Sequence, residues 1–181
     1  MPSHVALLRG VNVGGRRILP MAVVREALVD LGHADVETYI QSGNVVFTAA
    51  SATGVRQIER DLEGRLTAVA GFDVPVVVRS AAELRAVHAG NPFLAEGVDP
   101  GELHVAFLEE PAMGDGSAID PATIAPEALV VAGREVYLRY PHGLGRAKLT
   151  GARLEKAVGT PGTVRNWRTV ESLLGMLEPP R

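Results

Sequence analysis

Cysteine is absent from this chain of 181 residues. That excludes disulfides, thiolate metal sites and a cysteine nucleophile, and it fits a reducing compartment. Aromatic residues are scarce, with one Trp, three Tyr and four Phe, which argues against the stacked-base platform of sheet-type RNA binders. No apolar run approaches the roughly 20 residues that span a bilayer. The chain enters a strand-like run at once, with no basic n-region or cleavage signal. The expectation is a cytoplasmic protein without a membrane partner.

Familiar catalytic patterns are missing too. His4, His33, His88, His104 and His142 show no metal-ligand spacing and no HExxH, so no metal site is expected. There is no GxSxG elbow, no marked pair of carboxylates, and no identifiable base for Ser42. Catalytic residues and cofactors therefore stay unknown at this level, and whether the protein is an enzyme stays open.

Charge is segregated along the chain although the net value is only −3. Residues 1–20 carry Arg9, Arg16 and Arg17 and no acid; Glu96 to Glu127 hold eight acids and no Lys or Arg; Arg134 to Arg168 hold eight bases against Glu135 and Glu155. A uniformly basic nucleic-acid coat is thus excluded, while local anion sites fit the pattern. Solvated surface charge explains the same residues taken singly.

What is present is ordinary globular composition, 46% hydrophobic and 22% charged. His4-Val-Ala-Leu-Leu8 reads as a strand. Pro20 then opens a helix whose stripe is Met21, Val24, Leu28 and Leu31, and Gly32 stops it. Val36–Gln41 and Val45–Thr48 flank Ser42-Gly43-Asn44 as a hairpin. A second helix starts near Thr53 with the stripe Val55, Ile58, Leu62, Leu66 and Val69. Val74–Arg79 reads as a fourth strand containing Pro75, and Ser80-x-x-Glu83 is a capping box opening a short helix.

The order then recurs. His104-Val-Ala-Phe-Leu108 matches the first strand at four of five positions, 100 residues on. A short aperiodic stretch, 115–125, replaces the first helix. Leu129–Ala132 and Glu135–Tyr140 flank Gly133-Arg134 as a second hairpin. A helix marked by Leu154 and Val158 closes at Gly159, Thr163–Trp167 reads as a strand, and Val170, Leu173, Leu174 and Leu177 mark a last helix. The expected fold is α+β: two ferredoxin-like βαββαβ(α) repeats with antiparallel sheets in the order 4-1-3-2, packed together. The expected boundaries are 1–90 for the first repeat, 91–101 for a linker and 102–181 for the second repeat. Strand 1 is apolar on both faces, and the second copy is the candidate to cover the face that its own helices leave free.

Three turns attract attention. Arg9-Gly-Val-Asn-Val-Gly-Gly-Arg-Arg17 and Gln41-Ser-Gly-Asn44 fall at one end of the first sheet, where Arg9, Asn12, Gly14, Gly15, Gln41, Ser42 and Asn44 offer donors to a small anion. The stretch is neither GxGxxG nor a Walker A loop, and a plain glycine-rich connection is the competing reading. Third is Tyr140-Pro-His-Gly-Leu-Gly-Arg-Ala-Lys-Leu-Thr150. There Arg146, Lys148 and a helix capped by Thr150 are expected to converge with Arg165, Asn166 and Arg168 at the end of the fourth strand. Trp167, the single tryptophan, fits either a base-stacking role or the core, and the core is the expectation.

At these residues the chain resembles a bacterial family known as domain-of-unknown-function family 1697. The resemblance rests on Leu7-Leu-Arg-Gly-Val-Asn-Val-Gly-Gly15, Thr38-Tyr-Ile-Gln-Ser-Gly-Asn-Val-Val-Phe47, Asn91-Pro-Phe93, Gly143-Leu-Gly-Arg-Ala-Lys-Leu-Thr150 and Gly162-Thr-Val-Arg-Asn-Trp-Arg-Thr-Val170. It implies a duplicated α+β fold and no established activity, substrate or cofactor. It also implies a Ser in many relatives where this chain has Ala147.

Three functions compete. The first is binding of a small anionic ligand, phosphorylated, carboxylated or nucleotide-like, at the Gly/Arg-rich turns. The second is nucleic-acid binding by the same basic turns, which the aliphatic sheet faces disfavour. The third is a non-catalytic homo-oligomeric scaffold pairing through edge strands near Val36–Gln41.

Overall fold

The computed structural model describes residues 3–50 and 53–178. The chain divides into two compact units, Met1–Ala86 with Glu171–Arg181, and Val87–Val170. The first contains β1 (His4–Leu8), α1 (Met21–Asp30), β2 (Ala34–Tyr39), β3 (Asn44–Thr48), α2 (Val55–Ala70) and β4 (Val76–Ser80), which passes directly into α3 (Ala81–Ala89). The second contains α4 (Pro92–Ala95), β5 (Leu103–Leu108), α5 (Pro121–Ile124), β6 (Ala128–Ala132), β7 (Glu135–Arg139), α6 (Gly151–Val158) and β8 (Gly162–Asn166). There β8 passes directly into α7 (Trp167–Leu177), whose residues from Glu171 on belong to the first unit, as the residues of α3 from Val87 on belong to the second.

Each unit carries a four-stranded antiparallel sheet, in the orders β2-β3-β1-β4 and β6-β7-β5-β8. The first and last apolar strands of each unit thus lie side by side, and β2, β4, β6 and β8 are edges. In the first unit, Ala6, Leu8, Val45 and Phe47 from the sheet meet Val24, Leu28, Ile58 and Leu62 from α1 and α2. In the second, Ala106, Leu108, Val136 and Leu138 meet Ile124, Leu154 and Val158. Burial of each Leu or Ile of this kind stabilises by about 1.5–3 kcal/mol before entropy is charged against it. The shorter core of the second unit follows from its first crossover. A four-residue α5 stands where the first unit has the ten-residue α1.

Local details depart from the sequence expectation in instructive ways. Val69 is 56% exposed, because Ala70 and Phe72 cover the core at the last turn of α2. Glu59, on the same helix, is buried instead, since its Oε1 accepts the Val78 amide at 2.9 Å. Pro75 stands just before β4, and its carbonyl still accepts the Arg9 amide. Trp167 begins α7 and does not end β8, and it is fully buried. The stretch 91–101 contains α4, capped by Asn91 through its contact with the Phe93 amide, and Phe93 is buried.

Candidate functional site

The glycine-rich turn after β1 is a miniature hairpin. Gly14 and Gly15 both have positive φ, at 57° and 70°, and the Arg16 amide donates to the Val13 carbonyl at 3.0 Å. Two successive left-handed residues make a tight turn of the primed type, which only glycine adopts cheaply. Asn12 locks its base. Its Nδ2 donates to the carbonyls of Leu19 and Gln41, both at 2.8 Å, and its Oδ1 accepts the Leu19 amide at 2.8 Å. The loop and the β2–β3 hairpin are therefore adjacent, as their positions in the chain suggest.

Most of the donors in this region are spent internally. Asn44 is fully buried, and its amide donates to Ser42 Oγ at 2.9 Å. Gly43, at φ 78°, lets the hairpin press on β1, because a Cβ there would lie 2.8 Å from Leu8 Cβ. Arg17 lies over the Phe72 ring and donates to the Asp73 carbonyl. The arrangement is a rigid finger whose polar groups mainly hold the finger together.

The turn before α6 is also largely answered from within. Glu127 accepts the Lys148 amide at 2.9 Å and the Leu149 amide at 2.6 Å, so a carboxylate of the chain already sits where an anion was expected. Lys148 Nζ donates to the Ala125 carbonyl, and Thr150 caps α6 through the Arg153 amide. Arg146 is exposed in a short 3-10 turn, Leu144–Arg146. Tyr140 donates to the Leu149 carbonyl; burial, with the Glu127 charge a lesser cause, pushes its phenol up to about 12.

The expected convergence of Arg146 and Lys148 with Arg165–Arg168 does not appear. Both groups belong to the same end of the second sheet, but Lys148 is tied to the segment entering β6, and β8 is the opposite edge. Arg165 is buried and donates to Thr163 Oγ1 at 2.6 Å and to the Val164 carbonyl at 3.0 Å. Desolvation pulls its guanidinium down to about 10.

The β8–α7 junction is different. A cavity of about 270 Å³ opens there, lined by Pro100, Gly101, His104, Asn166, Trp167 and Arg168. Asn166 Oδ1 accepts the Thr169 amide at 2.8 Å, the geometry of an N-cap, which leaves the first amides of α7 without intrahelical partners. Arg168 is exposed at the rim. Two buried nitrogens, His104 Nδ1 and Trp167 Nε1, meet no hydrogen-bond partner among the described residues, an arrangement that costs about 1–3 kcal/mol per group unless something answers it. The indole is held in place by stacking on His88, with ring centroids 5.2 Å apart. His104 packs edge-on to Tyr140, and burial lowers its pKa, which contact with the Glu102 carbonyl only partly offsets. Nearby charges are settled: Asp99 Oδ1 accepts the Gly101 amide, and Glu102 pairs with Arg139 at 2.8 Å.

Ladder geometry sharpens the picture. The Glu109 amide bonds the Pro161 carbonyl, so odd-numbered residues of β5 exchange bonds with β8. Asn166 faces His104, an even position, and its N–H therefore points away from the sheet. The same holds in the first unit for Ser80, which faces His4. There the outward amide donates to Glu83 Oε2 at 2.7 Å, and Ser80 Oγ reaches the same oxygen at 2.9 Å. The residue at the corresponding step of α7 is Thr169, which carries no carboxylate.

Among the sequence-selected residues, the structure gathers Asn166 and Arg168 at this cavity and adds His104, Pro100 and Gly101. The missed signal was comparative. The first unit ends its fourth strand with Ser80-x-x-Glu83 and the second with Asn166-x-x-Thr169, so the carboxylate of the capping box is replaced. No group of three metal-ligating side chains occurs among the described residues, and no described helix is long and apolar enough to cross a membrane.

Two four-stranded antiparallel sheets flanked by helices, with a polar cavity at a strand–helix junction, define a mixed α/β protein. The chain belongs to the family described as protein of unknown function (DUF1697), whose model matches residues 1–137. The cavity's Asn166, Trp167 and Arg168 lie beyond that match. A conserved bacterial protein from Streptococcus pneumoniae has a similar structure, with a TM-score of 0.71 and 22% identity over 98% of this chain and 99% of the other. That likeness shows a shared fold. No curated protein matches the chain.

Proposed function

We propose that this protein binds a small anionic ligand, phosphorylated or carboxylated, at the β8–α7 junction. The reading rests above all on one cavity where the outward Asn166 amide and the exposed Arg168 come together, with the buried, unpartnered Trp167 Nε1 and His104 Nδ1 in two of its lining residues. Arg168 supplies a cation there, and the N–H groups of Asn166 and Arg168 supply oriented donors at the start of α7. In this reading the finger of Arg9, Asn12, Gly14 and Gly15 and the turn of Arg146, Lys148 and Thr150 are structural and do not touch the ligand.

The two sheets belong to duplicated ferredoxin-like repeats in the same proposal, with residues 91–101 as the stretch of chain that links one repeat to the next. Support comes from the common strand order and from a matched pair of buried arginines. Arg79 faces Val5 and donates to the carbonyl before it; Arg165 faces Val105 and does the same. A cytoplasmic setting agrees with the absence of cysteine.

The test is equilibrium binding of small carboxylates, sugar phosphates and nucleotides to wild type and Arg168→Ala. Loss of a charge-assisted contact weakens binding by roughly tenfold or more. Identical affinities of both proteins for every ligand that binds would remove the site.

A further inference from the structure

The charge and shape of the cavity narrow its ligand further, an inference that rests on the anion-binding reading above. We infer that the β8–α7 cavity takes a small monocarboxylate, whose carboxylate fills at Asn166 the place that Glu83 fills at Ser80. The first unit supplies the template from within the chain. At its strand–helix junction, an outward amide beside a histidine is answered by a planar carboxylate, Glu83, with Ser80 Oγ completing the contact.

In the second unit the register, the histidine and the direct strand-to-helix passage are the same, but Thr169 replaces the acid and a cavity opens. An external carboxylate restores the missing acceptor. It accepts from Asn166 N–H, from the Asn166 amide group whose oxygen is already committed to Thr169, and from the Arg168 fork.

Charge favours a single negative charge. Arg168 is the cation among the lining residues, since Arg165 is spent on Thr163 and Val164 and Arg139 on Glu102. One guanidinium balances a carboxylate, whereas a dianionic phosphate ester would leave one charge over beside Asp99. Size points the same way. About 270 Å³ falls below the ~300–1,000 Å³ of pockets that enclose drug-sized ligands, so a nucleotide does not fit inside. Trp167 and Pro100 give the wall an apolar part suited to a short hydrocarbon or single-ring body.

The experiment is a two-dimensional amide titration of the full chain with benzoate, butyrate, inorganic phosphate and AMP. Signals of Asn166, Arg168 and the Trp167 indole are followed in wild type, in Arg168→Ala, and in Asn166→Ser/Thr169→Glu, which rebuilds the internal capping box. Expected are saturable shifts of these signals with a carboxylate, weakened about tenfold in Arg168→Ala and abolished in the double variant. A melting curve and amide spectrum like wild type establish that each variant is folded. If the double variant does not fold, Arg168→Ala alone decides. Shifts at these residues with phosphate or AMP and none with carboxylates would overturn the carboxylate assignment and leave the broader anion reading standing. The absence of shifts with every anion, or carboxylate shifts untouched by the folded variants, would overturn both.

Discussion

Glu83 closes on Ser80 from both sides. The Ser80 amide and hydroxyl donate to one carboxylate oxygen at 2.7 and 2.9 Å, and the Glu83 amide returns to Ser80 Oγ at 3.2 Å. His4 stands opposite Ser80 in the ladder and senses this charge, which partly offsets the lowering of its pKa by burial. Glu83→Gln is therefore expected to move the His4 titration to lower pH, and Ser80→Ala to cost about 1 kcal/mol through the lost cap. Imidazole proton signals followed through a pH series check the first; an unmoved His4 would mean that the carboxylate is not felt there. Urea unfolding checks the second.

Glycine substitutions separate two kinds of turn. A Cβ on Gly43 would stand 2.8 Å from Leu8 Cβ and 2.9 Å from Val11 Cγ2 at a φ of 78°, whereas Gly14, at 57°, has open space around it. Gly43→Ala is expected to destabilise by roughly 2–4 kcal/mol, combining backbone strain with overpacking. Gly14→Ala should cost about 1 kcal/mol from strain alone. Denaturant midpoints that place the two variants in the reverse order would contradict the packing of the hairpin on β1.

Much of this was legible in the chain. Short apolar strand runs, the helix stripes, the Ser80-x-x-Glu83 box and the repeat of His-Val-Ala-x-Leu gave the strand order, because a short local code specifies each element and right-handed connections leave few ways to join them. The cavity was less legible. Its histidine comes from the start of β5, its cation from α7 and its rim from Pro100 and Gly101, which meet only through the β5–β8 ladder. Lys148 misled for a related reason. Its turn looks cationic in sequence, but Glu127, 21 residues earlier, folds back to take the amides.

Stability should fall with mild acid. Burial lowers the pKa of His4, His33 and His104 below the usual 6.5. Near and below pH 6.5 the unfolded chain therefore binds more protons than the folded one, and stability declines as pH drops, before most carboxylates titrate. The melting temperature is expected to decrease between pH 7.5 and 5.5, and less so in His104→Asn. A melting temperature flat across that range would show that these imidazoles titrate normally.

Asn12 should behave as a structural clamp. Asn12→Ala removes three bonds, to the Leu19 amide and to the carbonyls of Leu19 and Gln41, at about 1 kcal/mol for each bond lost. Hydrogen exchange at the Leu19 amide is expected to accelerate markedly, while anion binding at Asn166 and Arg168 stays as in wild type. Unchanged exchange would mean that the finger is held by other contacts.

Because Trp167 is the single tryptophan and lines the cavity, its fluorescence reports on that place alone. Titrating wild type with benzoate or butyrate is predicted to give a saturable change in tryptophan emission, with affinity lowered about tenfold in Arg168→Ala. Emission that does not respond to any carboxylate, or responds equally in both proteins, would contradict an anion held at the start of α7.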